Sequence, residues 1–204
     1  MGTKAIFLDI DGVLNCYGVD AATRSKSRCG NYVGIDKDKV QRLSRIVKET
    51  DAILILSSSW KVGWEPNGAY DKYSPSNFHA KYLDNHLKKK GGLTITDKTR
   101  ERNLALRGMG IKAYLMAHPE ITNWVVLDDE KFVDYEERDI FPHLILTHPC
   151  YGLTDEDAEA AIKMLKDEIK GPYIADPQKH NLPNSLNFNT ALDKNAGPAN
   201  VTES

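Results

Sequence analysis

Cysteine, long apolar runs and net charge are all scarce in this sequence of 204 residues. Its three cysteines, Cys16, Cys29 and Cys150, are too few and too scattered to predict a disulfide framework or a zinc site. No apolar run approaches the ~20 residues that span a bilayer. The first residues, MGTKAIFLDID, do not form a signal peptide, because their short apolar stretch carries acids. We therefore expect a cytoplasmic protein that does not bind membranes.

The formal net charge is only −2, so the chain as a whole has no strong attraction to nucleic acid. Its length and its apolar fraction of 41% suit one domain with a substantial core. We assign this domain to residues 1–170, with room for a small insertion or cap within 61–106. Residues 171–204 are rich in proline and asparagine, which predicts a surface arm and a flexible tail. The sequence does not predict the oligomeric state.

Short apolar runs alternate with amphipathic segments along the chain. The apolar runs predict strands at 4–9, 52–60, 123–129 and 143–148. The amphipathic segments predict helices at 36–51, 74–92, 107–120 and 153–171. The last helix opens on a capping box formed by Thr154 and Asp157, and the polar segment 15–34 predicts a loop or flap. This alternation indicates an α/β fold with a Rossmann-like, doubly wound parallel sheet.

Polar side chains follow three of the predicted strands directly. FLDIDG places Asp9 and Asp11 after the first strand, ILILSSSW places serines after the second, and VVLDDE places Asp128 and Asp129 after the third. Ligands bind at the carboxyl ends of strands in such sheets. Crowded carboxylates are costly unless a cation, a proton or a partner neutralises them. We therefore predict a Mg²⁺ site here, because Mg²⁺ prefers carboxylate oxygens together with phosphate.

The first of these strand ends also suits phosphoryl chemistry. The Asp9 carboxylate can attack phosphorus and form an aspartyl-phosphate. Asp11, held near Asp9, can acquire a raised pKa and donate a proton to a leaving oxygen. Gly12 permits the sharp turn that directs backbone N–H groups toward a phosphate. By itself, D-x-D-G is also typical of a structural turn or a cation-binding loop, and the other strand-end motifs favour catalysis.

These motifs resemble those of the haloacid dehalogenase (HAD) superfamily and occur in its order. FLDIDGVLN resembles motif I, ILILSSSW motif II, RGMGIKAYL the motif III region and VVLDDE motif IV. Together with GLTDEDA, they are similar to the small HAD phosphatase domain of Swiss Army Knife RNA repair proteins. The sequence departs from that pattern at Met109 and Gly110, where an acid is usual, and at Lys61, where arginine is usual. The resemblance implies a HAD fold with a minimal cap.

The resemblance also implies a role for each acid of the strand ends. Asp9 would be the nucleophile and Asp11 the general acid and base. Mg²⁺ would be held by the Asp9 carboxylate, the Asp11 carbonyl and Asp128, and Asp129 would bind the ion directly or support a ligand. An aspartate at position 11 favours a phosphatase over a dehalogenase, because the leaving oxygen of a phosphate ester needs a proton.

Motifs II and III imply the residues that hold the phosphoryl group. Ser58, or its neighbour Ser57, would hydrogen-bond the phosphoryl oxygens. Arg107 would neutralise the aspartyl-phosphate, with Lys112 and Arg100 as alternatives if the alignment shifts. The expected activity is therefore that of a Mg²⁺-dependent hydrolase of phosphoric monoesters.

Aromatic and basic residues are concentrated after the serines, which bears on the substrate. Residues 60–115 contain 11 Lys or Arg and 5 Asp or Glu, whereas residues 116–170 contain 5 and 14. An aromatic cluster in the first segment could stack a nucleobase, or form a small structural core instead; its members are Trp60, Trp64, Tyr70 and Tyr73. With a stacked base, we expect the phosphorylated substrate to be a nucleotide or a nucleic-acid end. The alternatives are a sugar phosphate, or a phosphoryl-binding protein without catalysis.

Overall fold

A parallel β-sheet forms the centre of the computed structural model, which describes residues 2–16, 28–29, 32–68 and 76–176. Within these residues the sheet has six strands: β1 (Thr3–Leu8), β4 (Ile53–Leu56), β5 (Ile95–Lys98), β6 (Ile121–Asp128), β7 (Leu144–Leu146) and β8 (Tyr173–Ile174). A separate antiparallel hairpin pairs β2 (Arg28–Cys29) with β3 (Tyr32–Val33). The helices are α1 (Lys37–Thr50), α2 (Ser76–Gly91), α3 (Arg107–Ala117) and α4 (Asp155–Leu165).

The strand order is β5-β4-β1-β6-β7-β8, with every neighbouring pair parallel. From β1 the chain proceeds outward to β4 and β5, then crosses back to β6 on the other side of β1. The direction of winding therefore reverses at β1. In doubly wound sheets, ligands bind outside the carboxyl ends of the strands at such a switch point. The predicted α/β fold is confirmed, and its switch point coincides with the end of the first motif.

Both faces of the sheet are covered, which explains the nearly continuous apolar runs of its strands. Ile6 and Leu8 of β1 pack into a cluster with apolar residues of α1, α2 and α4. Ala5 and Phe7 point to the opposite face, where they pack with Ile111 of α3. Each fully buried aliphatic or aromatic side chain contributes about 1.5–3 kcal/mol to stability relative to an exposed one. The central strand is thereby fixed from both sides.

Several elements differ from the sequence-based expectation. The second strand ends at Leu56, before the serines, because Ser59–Lys61 forms a 3₁₀ turn. Helix α4 ends at Leu165 rather than near 171, and Asp167 takes a left-handed backbone conformation (φ 61°). The strands β5 and β8 and the hairpin were not predicted. They are short, and in β5 only Ile95 is buried, so they carry no apolar run.

The described residues of 61–106 supply α2 and β5 to the central fold rather than a separate cap. Beyond residue 170, β8 pairs with β7 and completes the sheet, so this first part of the predicted arm is a strand. Residues 177–204 lie outside the described residues, as do residues 17–27 of the predicted flap. Among the described helices, none is both long and apolar enough to cross a membrane.

Candidate active site

The register of the central strands brings three polar residues to one level. Leu8 ends β1 and pairs with the last residue of β4 and with Leu127 of β6. The next residues are Asp9, Ser57 and Asp128, and the ladder continues through them. The Asp9 N–H donates to the Leu127 carbonyl and the Ser57 N–H to the Leu8 carbonyl, each at 2.9 Å. Because side chains alternate between faces, all three emerge on the α3 side.

Three carboxylates meet at these strand ends. Oxygens of Asp9, Asp128 and Asp129 all lie within 4.8 Å of one another. Asp9 and Asp128 are buried, with exposed fractions of 5% and 1%. Buried like charges at this separation are costly without a neutralising cation. Hard carboxylate oxygens are the donors that Mg²⁺ prefers, so this set fits a divalent cation of that kind.

Arg107 is the cation present within this cluster. It is the first residue of α3, and its Nη1 lies 2.6 Å from Asp128 Oδ2 and 3.1 Å from Asp9 Oδ1. Its guanidinium also stacks over the Phe132 ring, 4.2 Å from the ring centre. Burial lowers the pKa of Arg107, but the two carboxylates outweigh burial and raise it, so the guanidinium stays charged.

Asp128 is enclosed by donors on both of its oxygens. Oδ2 accepts from Arg107 and from the Tyr135 hydroxyl at 3.0 Å, and Oδ1 accepts from the Glu130 N–H at 3.1 Å. Burial raises the pKa of Asp128 well above its usual value, and the Arg107 charge opposes this. The carboxylate is therefore held in one orientation by three donors. This fixed orientation is what a metal ligand requires.

Asp11 lies beside this cluster in a different environment. Its Oδ1 accepts from Asn15 Nδ2 at 2.8 Å, and its Oδ2 accepts from the Trp60 indole N–H at 3.0 Å. Burial raises the pKa of Asp11, the hydrogen bonds from Asn15 and Trp60 lower it, and the nearby Asp9 charge raises it further. The net direction is upward. Asp11 is thus oriented by two donors and biased toward the protonated form, as a general acid must be.

Gly12 allows the chain to turn tightly between these groups. Its φ is +69°, in the left-handed region that favours glycine. A Cβ at this position would collide with the Asp129 carboxylate. The Gly12 N–H donates to Asn15 Oδ1 at 2.9 Å, and its carbonyl accepts from the Thr147 hydroxyl at 2.7 Å. Only glycine fits at this position, and hydrogen bonds with Asn15 and Thr147 hold the turn in place.

The two serines after β4 differ in their hydrogen bonding. Ser58 Oγ accepts from the Trp60 N–H at 3.3 Å, capping the 3₁₀ turn. Ser57 Oγ is fully buried and has no hydrogen-bond partner among the described residues. A buried hydroxyl without a partner loses free energy, so such a group calls for a ligand or a structural explanation. Ser57 is level with Asp9, which makes its hydroxyl available to a group bound there.

Asp134 fixes the start of α3, and with it the position of Arg107. Its carboxylate accepts from the Gly108 N–H at 3.1 Å and the Met109 N–H at 2.7 Å. Arg138 Nε donates to the same carboxylate at 3.0 Å. These contacts satisfy N–H groups that the first helical turn leaves without partners. Asp134 is therefore a helix cap outside the metal cluster.

Two departures from the family pattern, at Gly110 and Lys61, both contact Glu101 in the structure. Glu101 is buried against α3 at Gly110, where a Cβ would collide with its carboxylate. Glu101 forms an ion pair with Lys61, whose Nζ also donates to Thr99 Oγ1 at 3.0 Å. Burial lowers the pKa of Lys61, and Glu101 opposes this. Gly110 thus leaves room for the Glu101 carboxylate, which comes from the loop between β5 and α3.

Some residues that the sequence placed at the site lie elsewhere. Lys112 is on the surface, 3.7 Å from Asp139, and Arg100 is largely exposed beside Asp97. Both face away from Asp9 because the start of α3 brings Arg107, and not a later residue, to the strand ends. Of the three alternatives for the motif III cation, the structure brings only Arg107 into contact with the acids among the described residues.

The aromatic cluster is not the stacking surface that the sequence suggested. Trp60 is 3% exposed and Trp64 2% exposed. The first binds Asp11, and the second donates its indole N–H to Asp84 at 3.0 Å. Neither ring face is open to a base, so the alternative of a small structural core applies to both. Tyr70 and Tyr73 lie outside the described residues.

Sequence reasoning missed four residues that shape the site: Asn15, Thr147, Tyr135 and Asp134. Asn15 carries a local signal, since it follows Asp11 by four residues within the first motif. Thr147 follows β7 directly, as the other polar residues follow their strands. Tyr135 and Asp134 reach the site from the loop after β6, and no periodicity marks them. Only the folded chain reveals their role.

The doubly wound sheet, with its acids, serine and cation at neighbouring strand ends, defines a domain of the HAD superfamily. More specifically, the family described as the HAD domain in Swiss Army Knife RNA repair proteins matches residues 5–158, and the chain belongs to this family. No curated protein and no solved structure matches the chain. Membership of this family indicates a phosphatase-type hydrolase, and HAD domains generally use a divalent metal ion.

Proposed function

We propose that the protein is a Mg²⁺-dependent phosphomonoesterase that acts through an aspartyl-phosphate on Asp9. The observation that supports this best is the level arrangement of Asp9, Ser57 and Asp128, with Arg107 in contact with both acids. This arrangement supports the proposal because the Asp9 carboxylate, the Ser57 hydroxyl and the Arg107 guanidinium lie around one point at the switch of the sheet. Asp11 lies beside it with a raised pKa.

In the first half of the reaction, a carboxylate oxygen of Asp9 attacks phosphorus. The bond between phosphorus and the ester oxygen breaks, and Asp11 gives its proton to that oxygen, which leaves as an alcohol. Asn15 and Trp60 hold Asp11 in place for this transfer. The raised pKa of Asp11 keeps a larger fraction of it protonated before attack.

In the second half, a water molecule attacks the aspartyl-phosphate, and Asp11, now a carboxylate, takes a proton from that water. The bond between phosphorus and Asp9 breaks, which releases inorganic phosphate and restores the free carboxylate. Asp11 thus serves as acid and then as base, and protons balance over the cycle. Asp9 needs its second oxygen held meanwhile, and Arg107 provides this at 3.1 Å.

The carboxylates of Asp9 and Asp128 and the backbone carbonyl of Asp11 would hold Mg²⁺. Asp129 would bind the ion directly or orient a water on it. When bound, the ion would offset the negative charge of the phosphoryl oxygens and of the carboxylate that attacks them. The single guanidinium of Arg107 does not balance three carboxylates, which leaves room for a divalent charge.

Ser57 and Arg107 would bind the phosphoryl group. The buried Ser57 hydroxyl has no hydrogen-bond partner in the described part of the chain and can donate to a phosphoryl oxygen, whereas Ser58 is engaged in its own turn. Charge-assisted hydrogen bonds from a guanidinium to phosphate are among the stronger contacts of this kind. We therefore assign the motif II role to Ser57.

The substrate we propose is a phosphorylated nucleotide or nucleic-acid end. Two observations support this class: the family is that of a domain in RNA repair proteins, and residues 60–115 carry 11 basic against 5 acidic residues. A fold without a large folded cap in its described residues also leaves the strand ends accessible to a large substrate.

The decisive experiment measures hydrolysis of p-nitrophenyl phosphate by the full chain, with Mg²⁺ and with EDTA. We expect turnover only with the metal, and none in Asp9→Asn. Turnover that persists in EDTA would contradict the metal dependence, and complete inactivity under both conditions would favour a phosphoryl-binding protein. A panel of 3′- and 5′-phosphorylated oligonucleotides, mononucleotides and sugar phosphates then ranks substrates by kcat/KM.

A further inference from the structure

We propose that the exposed face of helix α2 binds the single-stranded nucleic acid adjoining the phosphorylated end. This inference rests on the proposed function, because it concerns how the same site receives its substrate. The aromatic residues proposed to stack the bases differ from Trp60 and Trp64, which are buried. The surface is called the α2 face here and consists of Phe78, Lys81, Tyr82, His86 and Lys89.

Three aromatic rings form a ladder along the α2 face. Phe78, Tyr82 and His86 are spaced by four residues, which places them on one side of the helix. The Phe78 and Tyr82 rings stack with centres 6.2 Å apart and planes 25° apart, and the Tyr82 and His86 rings are 3.8 Å apart. Phe78 is 63% exposed, although it is a large apolar residue. Its ring is therefore open to a flat partner.

Positive charge accompanies the ladder. Four lysines lie on the same helix: Lys81, Lys88, Lys89 and Lys90. Its single acid, Asp84, accepts a hydrogen bond from the buried Trp64 indole. The helix therefore carries four lysines and a single acid, and that acid is only partly exposed. Lysines next to exposed aromatic rings are what single-stranded nucleic acid requires, because the strand offers phosphates and unpaired bases together.

Aromatic contacts link the α2 face to the candidate active site. The Phe78 and His79 rings meet edge to face with centres 5.8 Å apart, and His79 meets Trp60 in the same way at 5.4 Å. The Trp60 indole in turn donates to Asp11. The ladder thus starts near the residue proposed to protonate the leaving group. Its length of about 12 Å at 1.5 Å per residue matches roughly three to four nucleotides.

The chemistry of the face favours nucleic acid over an acidic peptide. A phosphopeptide would use the lysines but would leave the exposed Phe78 ring without a matching flat surface. Every base has such a surface, and stacking on an aromatic side chain is worth about 1–3 kcal/mol per base. A nucleic-acid strand thus contacts both the lysines and the aromatic rings of the α2 face, whereas a phosphopeptide contacts the lysines alone.

The first test is a binding measurement that does not depend on turnover. Fluorescence anisotropy gives the Kd of a labelled single-stranded oligonucleotide of about eight nucleotides. We expect Phe78→Ala to raise Kd by at least about fivefold, and Phe78→Trp to restore binding. Met116→Ala is the matched control, because Met116 is 77% exposed on α3, away from this face. Equal Kd in Phe78→Ala and wild type would overturn the proposal.

The second test addresses the charges. In the double variant Lys81→Gln and Lys89→Gln, the slope of log Kd against log salt should fall by about 1.4, from about 0.7 per phosphate contact on a single strand. Lys170→Gln, an exposed change beyond α4 and away from α2, should leave the slope unchanged. A phosphoserine peptide that binds through Phe78 while the oligonucleotide does not would assign the face to a protein partner and overturn the proposal.

The outcomes separate this inference from the proposed function. Turnover of p-nitrophenyl phosphate should be the same in Phe78→Ala and wild type, because this small substrate does not reach α2. Oligonucleotide binding that depends on Phe78, without any phosphatase turnover, would contradict the proposed function but support nucleic-acid binding at the α2 face. Mg²⁺-dependent turnover with oligonucleotide binding insensitive to Phe78 and the lysines would remove the surface and keep the function.

Discussion

The Arg107 guanidinium lies 2.6 Å from the Asp128 carboxylate, and both groups are buried. Removing one partner of such a pair leaves an uncompensated charge and typically costs 3–5 kcal/mol. The pair therefore holds the start of α3 against the end of β6. It also keeps Asp128 oriented without a bound cation, so the geometry of the carboxylate cluster is largely set by the protein itself.

We predict that Asp9→Asn lowers kcat by about 10⁴-fold or more while the protein remains folded. The amide cannot attack phosphorus, but it nearly preserves the side-chain volume. One repelling charge near Asp128 disappears together with one contact to Arg107, so the Tm without metal should change little. Steady-state kinetics and thermal unfolding check both statements. Substantial turnover in a pure sample would remove Asp9 as the nucleophile.

We predict that Mg²⁺ raises the Tm of the wild type and that Asp129→Asn removes most of this shift. At a hundredfold excess over Kd, a ligand stabilises the folded state by about 2.7 kcal/mol, or about 5–10 °C for a chain of this size. Asp129 is only partly buried, so the variant should fold without metal. An unchanged shift would exclude Asp129 as a ligand and leave Asp9 and Asp128.

We predict opposite outcomes for the two neighbouring serines. Ser57→Ala should lower kcat/KM by about 10²-fold and leave stability unchanged or slightly higher, because the hydroxyl it removes has no partner among the residues that the structure describes. Ser58→Ala removes the cap of a turn, so it should cost about 0.5–2 kcal/mol and affect kcat/KM little. Kinetics and urea unfolding of both variants check this. The reverse pattern would assign motif II to Ser58.

We predict that Asp134→Ala lowers kcat and destabilises the fold by about 1–2 kcal/mol, because the N–H groups at the start of α3 lose their acceptor. Asp134→Asn should restore only part of both, since its amide has one acceptor oxygen and its NH2 group would face one of these donors. A role for Asp134 in binding the metal would instead make both variants lose the Mg²⁺-dependent rise in Tm.

We predict that burial of His143 makes stability fall as the pH drops below about 6.5, whereas the raised pKa values of Asp11 and Asp128 act in the opposite direction. His143 stacks on Trp124 at 3.8 Å, and burial lowers its pKa. In this window the unfolded chain takes up a proton that the folded state does not, so the unfolded state is favoured. The pH dependence of the Tm should be shallower in His143→Gln, though not absent, because burial also lowers the pKa of His86. His118→Gln is the surface control, and an unchanged profile in His143→Gln would contradict the prediction.

The sequence predicted the central sheet and the acids at its strand ends well, because both depend on short-range patterns. An apolar run that stops at Asp9 or Asp128 marks a strand and its end together, and the parallel topology then brings those ends to one edge. The short strand β5 escaped prediction because only Ile95 is buried. Its place in the sheet is set by pairing with β4, which no local pattern records.

The partners within the site were harder to predict, because they depend on three-dimensional position. The phase of α3 relative to the sheet decides between Arg107 and Lys112, and sequence spacing does not give that phase. Trp60 looked like an exposed stacking residue from its basic neighbours, yet it is buried against Asp11. A run of three serines likewise gives no sign that the Ser57 hydroxyl, among the described residues, has no hydrogen-bond partner.

The path of the chain through the sheet has a consequence for biosynthesis. Asp9 emerges from the ribosome early, but its neighbour in space, Asp128, is added after more than half of the sequence, and the β1–β6 pairing must wait for it. A nascent chain that ends before this strand carries Asp9 without Asp128 and without the Arg107 contact that joins the two acids. In stalled chains of increasing length, we therefore expect phosphatase activity to appear only once β6 is complete. The chain length at which activity appears would then report when the central sheet closes.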